Sequence, residues 1–437
     1  MKIAIVGFGI EGRSSYEYFS TSSTNHQITI CDQNEDIELP EGALSQLGDR
    51  YLDNLSSFDL IVRTAGIHPD LILDNNPNVK GKITSQLNEF IKAYPTKNII
   101  GVTGTKGKGT TATLITKILE ASGKTVVLGG NIGIPLLSLL KDISSDTFAV
   151  MELSSFQLLD FREKSPHVCV CLLIEEEHLN WHLDIEDYIK SKANLFEHQT
   201  SEDKAIYFSS NELSKKIASS SPGKLIPYYA PPGAYIEDDT VKINDLVICK
   251  TSDIKLIGKH NLQNICAAIT ASWQYIQDIE AIRNVLTSFE GLPHRIEFVR
   301  EVSGIRFYND SYSTILYATE AAIEAVEGSK ILIVGGFERN LKIDYFADFV
   351  NKNTKEFRKI LIIGESGGRV AKLLDNSGFT SYEKATDLKN MQEIVSKAVS
   401  LAQNGDAVVL SPGFASFDMF KNFEDRGLQF KEAVNNL

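Results

Sequence analysis

The sequence predicts an α/β protein with about three domains, and three observations support this class. The chain has 437 residues, which is more than one ordinary hydrophobic core accommodates. Short apolar runs alternate with helical patterns along most of its length, which is typical of parallel sheets covered by helices. Two glycine-rich stretches, residues 7–12 and 101–111, each follow an apolar run and precede a helical pattern. Both stretches are therefore expected to be strand–loop–helix junctions.

Residues 1–93 are expected to form a Rossmann-like domain. The turn Gly7-x-Gly9-x-x-Gly12 follows the first apolar run, and Asp32 ends the second about 20 residues later. This spacing is typical of a βαβ nucleotide-binding unit, although the glycine pattern alone is a weak signal. The predicted elements are a strand at Ile3–Gly7, a helix near Glu11–Phe19, and strands at Gln27–Ile30 and Leu60–Val62.

Residues 94–298 are expected to form a central domain of the P-loop ATPase type, and residues 299–437 a second Rossmann-like domain. After residue 111, the central domain has predicted strands at Val126–Leu128, Phe148–Leu153 and Val168–Ile174, a polar, proline-bearing hairpin region at Leu225–Lys250, and a helix from His260 to about Tyr275. The last domain has predicted strands at Ile331–Val334, Ile360–Ile363 and Ala407–Leu410. Helical segments separate these strands, which implies another parallel sheet.

The stretch 101–111 reads GVTGTKGKGTT and carries the clearest chemical signal. Gly104 and Gly107 permit a tight turn whose N–H groups face inward, and Lys108 adds a positive charge. The two threonines that end the stretch add hydroxyls at the start of a helix, whose dipole favours anions. We interpret the stretch as a phosphate-binding loop, and the alternative is a solvated turn.

Composition limits the classes of partner. The formal net charge of −13 disfavours non-specific binding to nucleic acid or to an anionic membrane surface. The five cysteines lie in or beside apolar runs without metal-ligand spacing, as reduced core thiols do. We find neither a signal peptide nor an apolar run long enough to insert into a membrane. We therefore expect a cytoplasmic protein, and we expect a monomer.

Glu152 and His178 follow two predicted strands of the central domain. A carboxylate and an imidazole at neighbouring strand ends can converge on a divalent ion that ATP phosphates hold. The alternatives are a helix-start carboxylate for Glu152 and a polar loop residue for His178.

Several motifs together resemble those of the Mur ligases, and they occur in order through all three blocks. They are GTKGK at 104–108, ELSSFQ at 152–157, EHLNWH at 177–182, HNLQN at 260–264, GLPHR at 291–295, NDS at 309–311 and SPGFASFDMFKNF at 411–423.

This resemblance implies an ATP-dependent ligase of peptidoglycan synthesis, with two Mg²⁺ ions. Its substrates would be UDP-N-acetylmuramoyl-L-alanine and glutamate, with D-glutamate as first choice. The carboxylate would take the γ-phosphoryl group of ATP, and the amine would then displace phosphate from the acyl phosphate. Such chemistry depends on cations around the transferred phosphoryl group more than on a strong base.

The resemblance also implies roles for individual residues. ATP contacts fall to Gly104, Thr105, Lys106, Gly107, Lys108, Gly109, Thr110, Thr111, Asn264, Arg295 and Asp310. The implied catalytic residues are Lys108, His178 and Lys192. Magnesium ligands would be Thr110, Glu152, His178 and Lys192. UDP-substrate contacts fall to Gly9, Ile10, Asp32, Thr64, Gly66 and Asn131, and glutamate contacts to Thr314, Arg339, Ser416 and Phe423.

Lys192 matches the lysine that family members carbamylate with carbon dioxide, which would turn a cation into an anion suited to a magnesium site. The residues alone favour a surface lysine on an amphipathic helix. Lys190, two residues earlier, is expected on a different helical face.

Departures from the family pattern keep alternatives open. Gly109 stands where a hydroxyl is usual and resembles the folylpolyglutamate synthases, so the metal role shifts to Thr110. Tyr312 stands where many relatives have lysine, beside the presumed glutamate pocket, so an L-glutamate-specific ligase is a further alternative. A nicotinamide-dependent oxidoreductase and a nucleotide-switched binding protein are the rivals outside the ligase class.

Overall fold

A computed structural model describes residues 1–22, 26–178 and 181–437. Two positions of the 177–182 motif, Leu179 and Asn180, lie outside these ranges. The described chain forms two compact units, one of Met1–Asp253 with His260–Thr287 and one of Ile254–Lys259 with Ser288–Leu437. Mainly parallel sheets with helices occur in both, which confirms the predicted α/β class. The expected domain limits at 93/94 and 298/299 stay predictions.

The first sheet of the larger unit is parallel. Its elements are β1 (Lys2–Val6), α1 (Ile10–Ser22), β2 (Gln27–Asp32), β3 (Leu44–Leu47), β4 (Leu60–Arg63), α2 (Pro69–Asn75), β5 (Ile83–Ser85) and α3 (Gln86–Ala93). The strand order is β3-β2-β1-β4-β5. Strands β2 and β3 therefore lie on one side of β1, and β4 and β5 lie on the other, so the strand order reverses between β1 and β4. Open parallel sheets bind ligands at such a reversal point. The three predicted strands are confirmed, whereas β3 and β5 are too short to stand out in the sequence.

The second sheet of this unit is also parallel. Its elements are β6 (Ile99–Thr103), α4 (Lys108–Ala121), β7 (Val126–Gly130), α5 (Leu136–Leu139), β8 (Phe148–Glu152), α6 (Ser155–Leu158), β9 (Val168–Cys171), α7 (Ile185–Glu197), β10 (Lys204–Phe208), α8 (Glu212–Ala218) and β11 (Lys224–Tyr228). The order β11-β10-β9-β6-β8-β7 places β6 between two neighbours, and every residue of β6 is buried. The loop that follows β6 thus leaves from the middle of the sheet.

A small antiparallel sheet and two helices complete the larger unit. They are β12 (Tyr235–Glu237), β13 (Thr240–Ile243), β14 (Leu246–Lys250), α9 (His260–Ser272) and α10 (Ile279–Ser288), of which α9 packs on α4. The prediction of a hairpin region at Leu225–Lys250 was wrong for its first residues, because Leu225 lies in β11, a parallel strand of the second sheet. Pro227 also lies in β11, and this strand tolerates it because an edge strand has one side without ladder partners.

The smaller unit contains a single six-stranded sheet among its described residues. Its elements are β15 (Glu297–Val302), β16 (Ile305–Asn309), α11 (Leu316–Ala325), β17 (Lys330–Gly335), α12 (Asp344–Lys352), β18 (Phe357–Ile363), α13 (Gly367–Asn376), β19 (Tyr382–Lys384), α14 (Met391–Leu401), β20 (Ala407–Leu410) and α15 (Phe423–Asn435). The order is β15-β16-β20-β17-β18-β19. The predicted parallel sheet is confirmed for five strands, and the edge strand β15 is antiparallel to β16.

Across the described ranges, no helix combines the length and the apolar character that crossing a membrane requires.

A buried ion pair joins the two sheets of the larger unit. Arg63 is 1% exposed at the end of β4, and its Nη2 and Nε lie 2.7 and 3.1 Å from the two carboxylate oxygens of Asp160. The same guanidinium donates to the carbonyl oxygens of Ile67 and Phe156. Removal of this arginine would leave the Asp160 carboxylate, whose side chain is only 16% exposed, without its counter-charge, and the carbonyl oxygens of Ile67 and Phe156 without their donor.

We therefore expect Arg63→Met to reduce the free energy of unfolding by about 3 kcal/mol. Urea unfolding of the variant, followed by circular dichroism, measures this change. Arg50→Met is the matched control because Arg50 forms an Arg–Asp pair with Asp53 at the surface, so it should leave the midpoint unchanged. Equal midpoints for the two variants would contradict the structural role of Arg63.

Candidate active site

The loop after β6 has the backbone geometry of a phosphate-binding loop. Gly107, the N-cap of α4, has a φ of +84°, a left-handed conformation that glycine adopts without strain. A Cβ atom at this position would lie 2.1 Å from Oδ1 of Asn264, a residue of α9. Glycine is therefore required both by the backbone and by the close approach of α9. The predicted strand–loop–helix junction is confirmed.

Lys108 lies in the first turn of α4 and folds back over the loop. Its Nζ donates to the carbonyl oxygens of Gly104 at 3.1 Å and Thr105 at 2.9 Å. The neighbouring Lys106 points outward and forms an exposed ion pair with Glu175. Of the two lysines in the 104–108 motif, Lys108 is thus the one whose positive charge lies at the loop.

The hydroxyl groups of the loop have different surroundings. The Thr105 hydroxyl lies 2.8 Å from the Tyr188 hydroxyl of α7 and accepts from the backbone N–H of Glu175, so it fixes the loop. Thr110 and Thr111 are buried in the first turn of α4, together with Gly109. Within the described chain the Thr111 hydroxyl has no hydrogen-bond partner, and buried hydroxyls seldom remain so. This orphaned group fits a site whose polar ligand binds at the start of α4.

Lys192 is buried, so the expectation of a surface lysine was wrong. Its side chain is 1% exposed, and Nζ donates to the Gly104 carbonyl oxygen at 2.9 Å. Burial and the nearby charge of Lys108 lower the pKa of Lys192 to about 7. Lys190 of the same helix is exposed, as the helical geometry predicts. Two lysines from different helices therefore converge on one carbonyl oxygen.

Glu152 is the last residue of β8 and pairs in register with Val102 of β6. It is 4% exposed, and its Oε1 accepts from Nδ2 of Asn131, which follows β7. Asn131, predicted to bind the UDP-substrate, thus lies beside the predicted magnesium ligand.

His178 lies in the loop between β9 and α7, with a φ of +60°. Its imidazole packs on the ring of Phe156 at a centroid distance of 4.8 Å. Burial lowers its pKa; the charge of the neighbouring Glu177 opposes this shift, and the charges of Lys108 and Lys192 add to it. His178 therefore lies within the electrostatic field of both lysines.

The donor set fits a magnesium ion that a nucleotide helps to hold. Within the described ranges, no group of three or more His, Cys, Asp or Glu side chains could hold a metal alone. Mg²⁺ commonly uses one or two carboxylates together with phosphate oxygens and water. The buried Glu152 carboxylate and the hydroxyl groups at the start of α4 provide oxygen ligands of this kind.

Five of the six predicted UDP-substrate residues lie at the carboxyl edge of the first sheet, whereas Asn131 follows β7 of the second sheet. Asp32 accepts from the N–H of Phe8 at 2.6 Å, and the Thr64 hydroxyl donates to the carbonyl of Val6. Gly9, Ile10 and Gly66 are exposed at the same edge.

Glu11 is a residue that the sequence analysis missed. Its carboxylate accepts from the backbone N–H of Ala65 at 2.9 Å and from Gln157 at 2.8 Å. An acidic residue in the first turn of a helix is too common to reveal these partners.

In the smaller unit, Asp310 is enclosed by donors. Its carboxylate accepts from the hydroxyls of Ser313 and Ser411 at 2.6 Å and from the N–H of Ile296 at 3.1 Å. Burial raises its pKa to about 6. Arg295, like Asp310, is predicted to bind ATP. Its guanidinium carbon lies 3.8 Å from the ring centre of Tyr312.

Two predicted glutamate contacts lie together: Nη2 of Arg339 donates to the carbonyl of Thr314 at 2.6 Å. Ser416 is buried, at 2% exposure. Phe423 is half-buried, and its ring packs edge-on against Tyr312 at 5.0 Å.

Arg426 was also missed by the sequence analysis. It is 1% exposed in α15 and donates to the backbone and hydroxyl oxygens of Ser311 and to the carbonyls of Phe414 and Ala415. It therefore fixes the NDS loop to the 411–416 loop. Nothing in the sequence distinguishes it from a solvated helical arginine.

Three features together define a nucleotide-dependent enzyme of the P-loop type. They are the phosphate-binding loop between β6 and α4, the two lysines Lys108 and Lys192 beside it, and the carboxylate of Glu152 at the end of β8. Residues 102–272 match the family described as Mur ligase middle domain, and residues 294–414 match Mur ligase, glutamate ligase domain.

Full-length relatives agree with these matches. The UDP-N-acetylmuramoylalanine–D-glutamate ligases of Clostridium kluyveri and Acetivibrio thermocellus are 35% and 36% identical to this chain, covering 100% of it and 97% and 96% of their own lengths. The chain belongs to the Mur ligase family and is an ATP-dependent amide-bond ligase.

Solved structures show the same fold at low identity. A UDP-N-acetylmuramate–alanine ligase from Thermotoga maritima has a TM-score of 0.59 at 17% identity, covering 100% of this chain and 99% of its own. A MurF ligase from Thermotoga maritima, in complex with ADP, has a TM-score of 0.61 at 15% identity, covering 99% of this chain and 94% of its own.

Gly107→Ala should weaken ADP binding by at least about tenfold, because the new methyl group displaces Asn264 from the loop. Calorimetric titration with ADP measures the affinity. Gly123→Ala is the matched control: Gly123 has a φ of +80° just beyond the other end of α4, where a Cβ atom meets nothing within 4 Å. Equal losses of affinity in both variants would show that strain alone, and not contact with Asn264, governs binding.

Proposed function

We propose that this chain joins UDP-N-acetylmuramoyl-L-alanine to glutamate, with D-glutamate as the first choice, at the expense of ATP in peptidoglycan synthesis. The observation that carries the proposal is the convergence of Lys108 and Lys192 on the Gly104 carbonyl oxygen, next to the phosphate-binding loop. The activity in the names of the full-length relatives supports the choice of substrates.

In the proposed reaction, a carboxylate oxygen of the UDP-substrate attacks the γ-phosphorus of ATP, and ADP leaves. The amine of glutamate then attacks the carbonyl carbon of the acyl phosphate, and inorganic phosphate leaves as the amide forms. Lys108 would stabilise negative charge on the transferred phosphoryl group, since its ammonium already lies over the loop. The backbone N–H groups at the start of α4 would hold the other phosphates.

We propose two Mg²⁺ ions, which would neutralise phosphate charge and orient the γ-phosphoryl group. Glu152 and Thr110 would hold the first, and His178 with Lys192 the second. The buried carboxylate of Glu152, which pairs in register with β6 at the start of the phosphate-binding loop, supports the first assignment. The cytoplasmic location and the monomeric state stay predictions.

We propose that Lys192 carries a carbamate when the enzyme is active. Only an uncharged amine attacks carbon dioxide, forming the N–C bond and releasing a proton. A pKa of about 7 leaves a large fraction of Lys192 uncharged at neutral pH, whereas an ordinary lysine is almost fully protonated. The carbamate anion would also relieve the repulsion between Lys192 and Lys108.

For glutamate, we propose that Arg339 binds one carboxylate in a two-pronged manner, with Thr314, Ser416 and Phe423 around it. The direct contact between Arg339 and Thr314 supports this grouping. Tyr312 lies next to Phe423, where its ring can influence which enantiomer is accepted.

We expect phosphate release from ATP to require both UDP-N-acetylmuramoyl-L-alanine and glutamate, and to be faster with D-glutamate than with L-glutamate. A coupled phosphate assay with each substrate omitted in turn measures this dependence. Faster turnover with L-glutamate would establish the L-specific alternative. Release that ignores either substrate would overturn the proposed function.

Lys192→Ala should reduce kcat by at least about 100-fold, and added short carboxylic acids should restore part of the activity by supplying the missing anion. Lys190→Ala is the control on the exposed face of the same helix and should retain activity. In the wild type, ¹³C NMR with labelled bicarbonate should detect a carbamate whose content rises from pH 6 to pH 8, because the amine loses its proton across this range. A fully active Lys192→Ala variant would exclude the carbamate.

A further inference from the structure

Three polar side chains next to the candidate site form a hydrogen-bonded chain. Nε2 of His182 lies 2.9 Å from the hydroxyl of Ser155, and its Nδ1 lies 2.8 Å from a carboxylate oxygen of Asp187. Ser155 begins α6, and Asp187 lies in the first turn of α7. Ser155 and His182 are only 2% and 3% exposed.

The carboxylate of Asp187 determines which atoms donate and which accept in these two hydrogen bonds. An ionised carboxylate can only accept, so Nδ1 of His182 carries the proton and donates to Asp187. Nε2 of the neutral ring is then an acceptor, and the Ser155 hydroxyl donates to it. This order resembles the Ser-His-Asp arrangement of hydrolases. A serine that is 2% exposed offers no access to a substrate, so a nucleophilic role is excluded.

The hydrogen bonds between Ser155, His182 and Asp187 connect three segments, and each segment carries a candidate site residue. Ser155 is three residues after Glu152, and His182 is four residues after His178. Asp187 lies on α7, the helix that carries Lys192.

Aromatic packing around the His182 ring reinforces the connection. Its ring centre lies 5.9 Å from Phe156 of α6, 4.8 Å from Trp181 and 5.3 Å from Tyr188 of α7.

The same helix is also attached to the phosphate-binding loop. The Tyr188 hydroxyl lies 2.8 Å from that of Thr105, and Lys192 donates to the Gly104 carbonyl. Helix α7 is therefore attached both to the loop and to His182. Loss of His182 would remove only one of these two attachments.

We propose that His182 is a positioning residue: through Ser155 and Asp187 it fixes α6, the 181–184 segment and α7 against one another, and so sets where Glu152, His178 and Lys192 lie relative to the transferred phosphoryl group. The catalytic consequence rests on the proposed ligase function, whereas the effect on α7 does not.

The test uses the full-length protein with Ser155→Ala, His182→Phe and the double variant. Hydrogen exchange of the backbone amides in residues 185–192, measured without ligands, reports the hold on α7. Ligase assays report kcat and KM. His167→Phe is the matched control, because His167 forms a His–Asp pair with Asp203 at 2.6 Å. His167 lies just before β9, at the amino-terminal ends of the strands of the same sheet, whereas His182 follows the carboxyl-terminal end of β9.

We expect His182→Phe to speed amide exchange in α7 about tenfold and to lower kcat about 10- to 100-fold with little change in KM for glutamate. Ser155→Ala, which removes only one oxygen atom, should show the same changes to a smaller degree. The double variant should be no worse than His182→Phe, since both changes break one chain. His182→Gln, whose amide can donate and accept, should recover part of both properties.

Unchanged exchange in α7 together with unchanged kcat in His182→Phe would overturn the proposal, and so would equal effects of His167→Phe. If the wild type shows no ligase activity while His182→Phe still loosens α7, the ligase function fails and the positioning role stands.

Discussion

The carbonyl oxygen of Gly104 receives hydrogen bonds from two lysines, and the rest of the candidate site depends on this convergence. Lys108 reaches it from α4 and Lys192 from α7, so one backbone atom fixes two helices against the central strand. Two ammonium groups at one oxygen repel each other, and burial adds a desolvation cost for Lys192. Negative charge relieves both costs. The protein therefore stabilises an anion at this point before any chemistry takes place.

The two glycine loops of the larger unit have similar sequence patterns and opposite electrostatics. The loop after β6 is lined by lysines, whereas the turn after β1 is lined by carboxylates: Asp32 accepts from Phe8, and Glu11 accepts from Ala65. Glycines supply the backbone turn in each case. The side chains that surround the turn decide which ligand it suits. This contrast supports the proposal that phosphoryl transfer takes place at the second loop and recognition of the UDP-substrate at the first.

Elements with strong local patterns were predictable from the sequence. The apolar strand, glycine loop and helix at 99–121 combine three local signals, and the structure has them where they were expected. The parallel strand at 224–228, which contains Pro227, was not recognised because the residues from Leu225 onward were assigned to a polar, proline-bearing hairpin region. That proline is compatible with a strand only at a sheet edge, and edge position is a property of the whole sheet.

The burial of Lys192 was predictable in principle. It follows Tyr188 by four residues and precedes Phe196 by four, so it lies on the apolar face of α7. A cation on that face indicates a buried, functional lysine, and the general preference of lysine for the surface obscured this signal. By contrast, Glu11 binds Ala65, 54 residues away, and Arg426 binds Ser311, 115 residues away, so no local pattern could reveal these contacts.

The central claim is that the loop transfers the γ-phosphoryl group of ATP to a carboxylate. Oxygen-isotope transfer tests it most directly: UDP-N-acetylmuramoyl-L-alanine labelled with ¹⁸O in its carboxylate is turned over with ATP and glutamate in unlabelled water, and the inorganic phosphate is analysed by mass spectrometry. If an acyl phosphate forms, each phosphate carries one oxygen from the carboxylate, because the C–O bond breaks when the amine attacks. Phosphate that contains no label from the carboxylate would contradict the account.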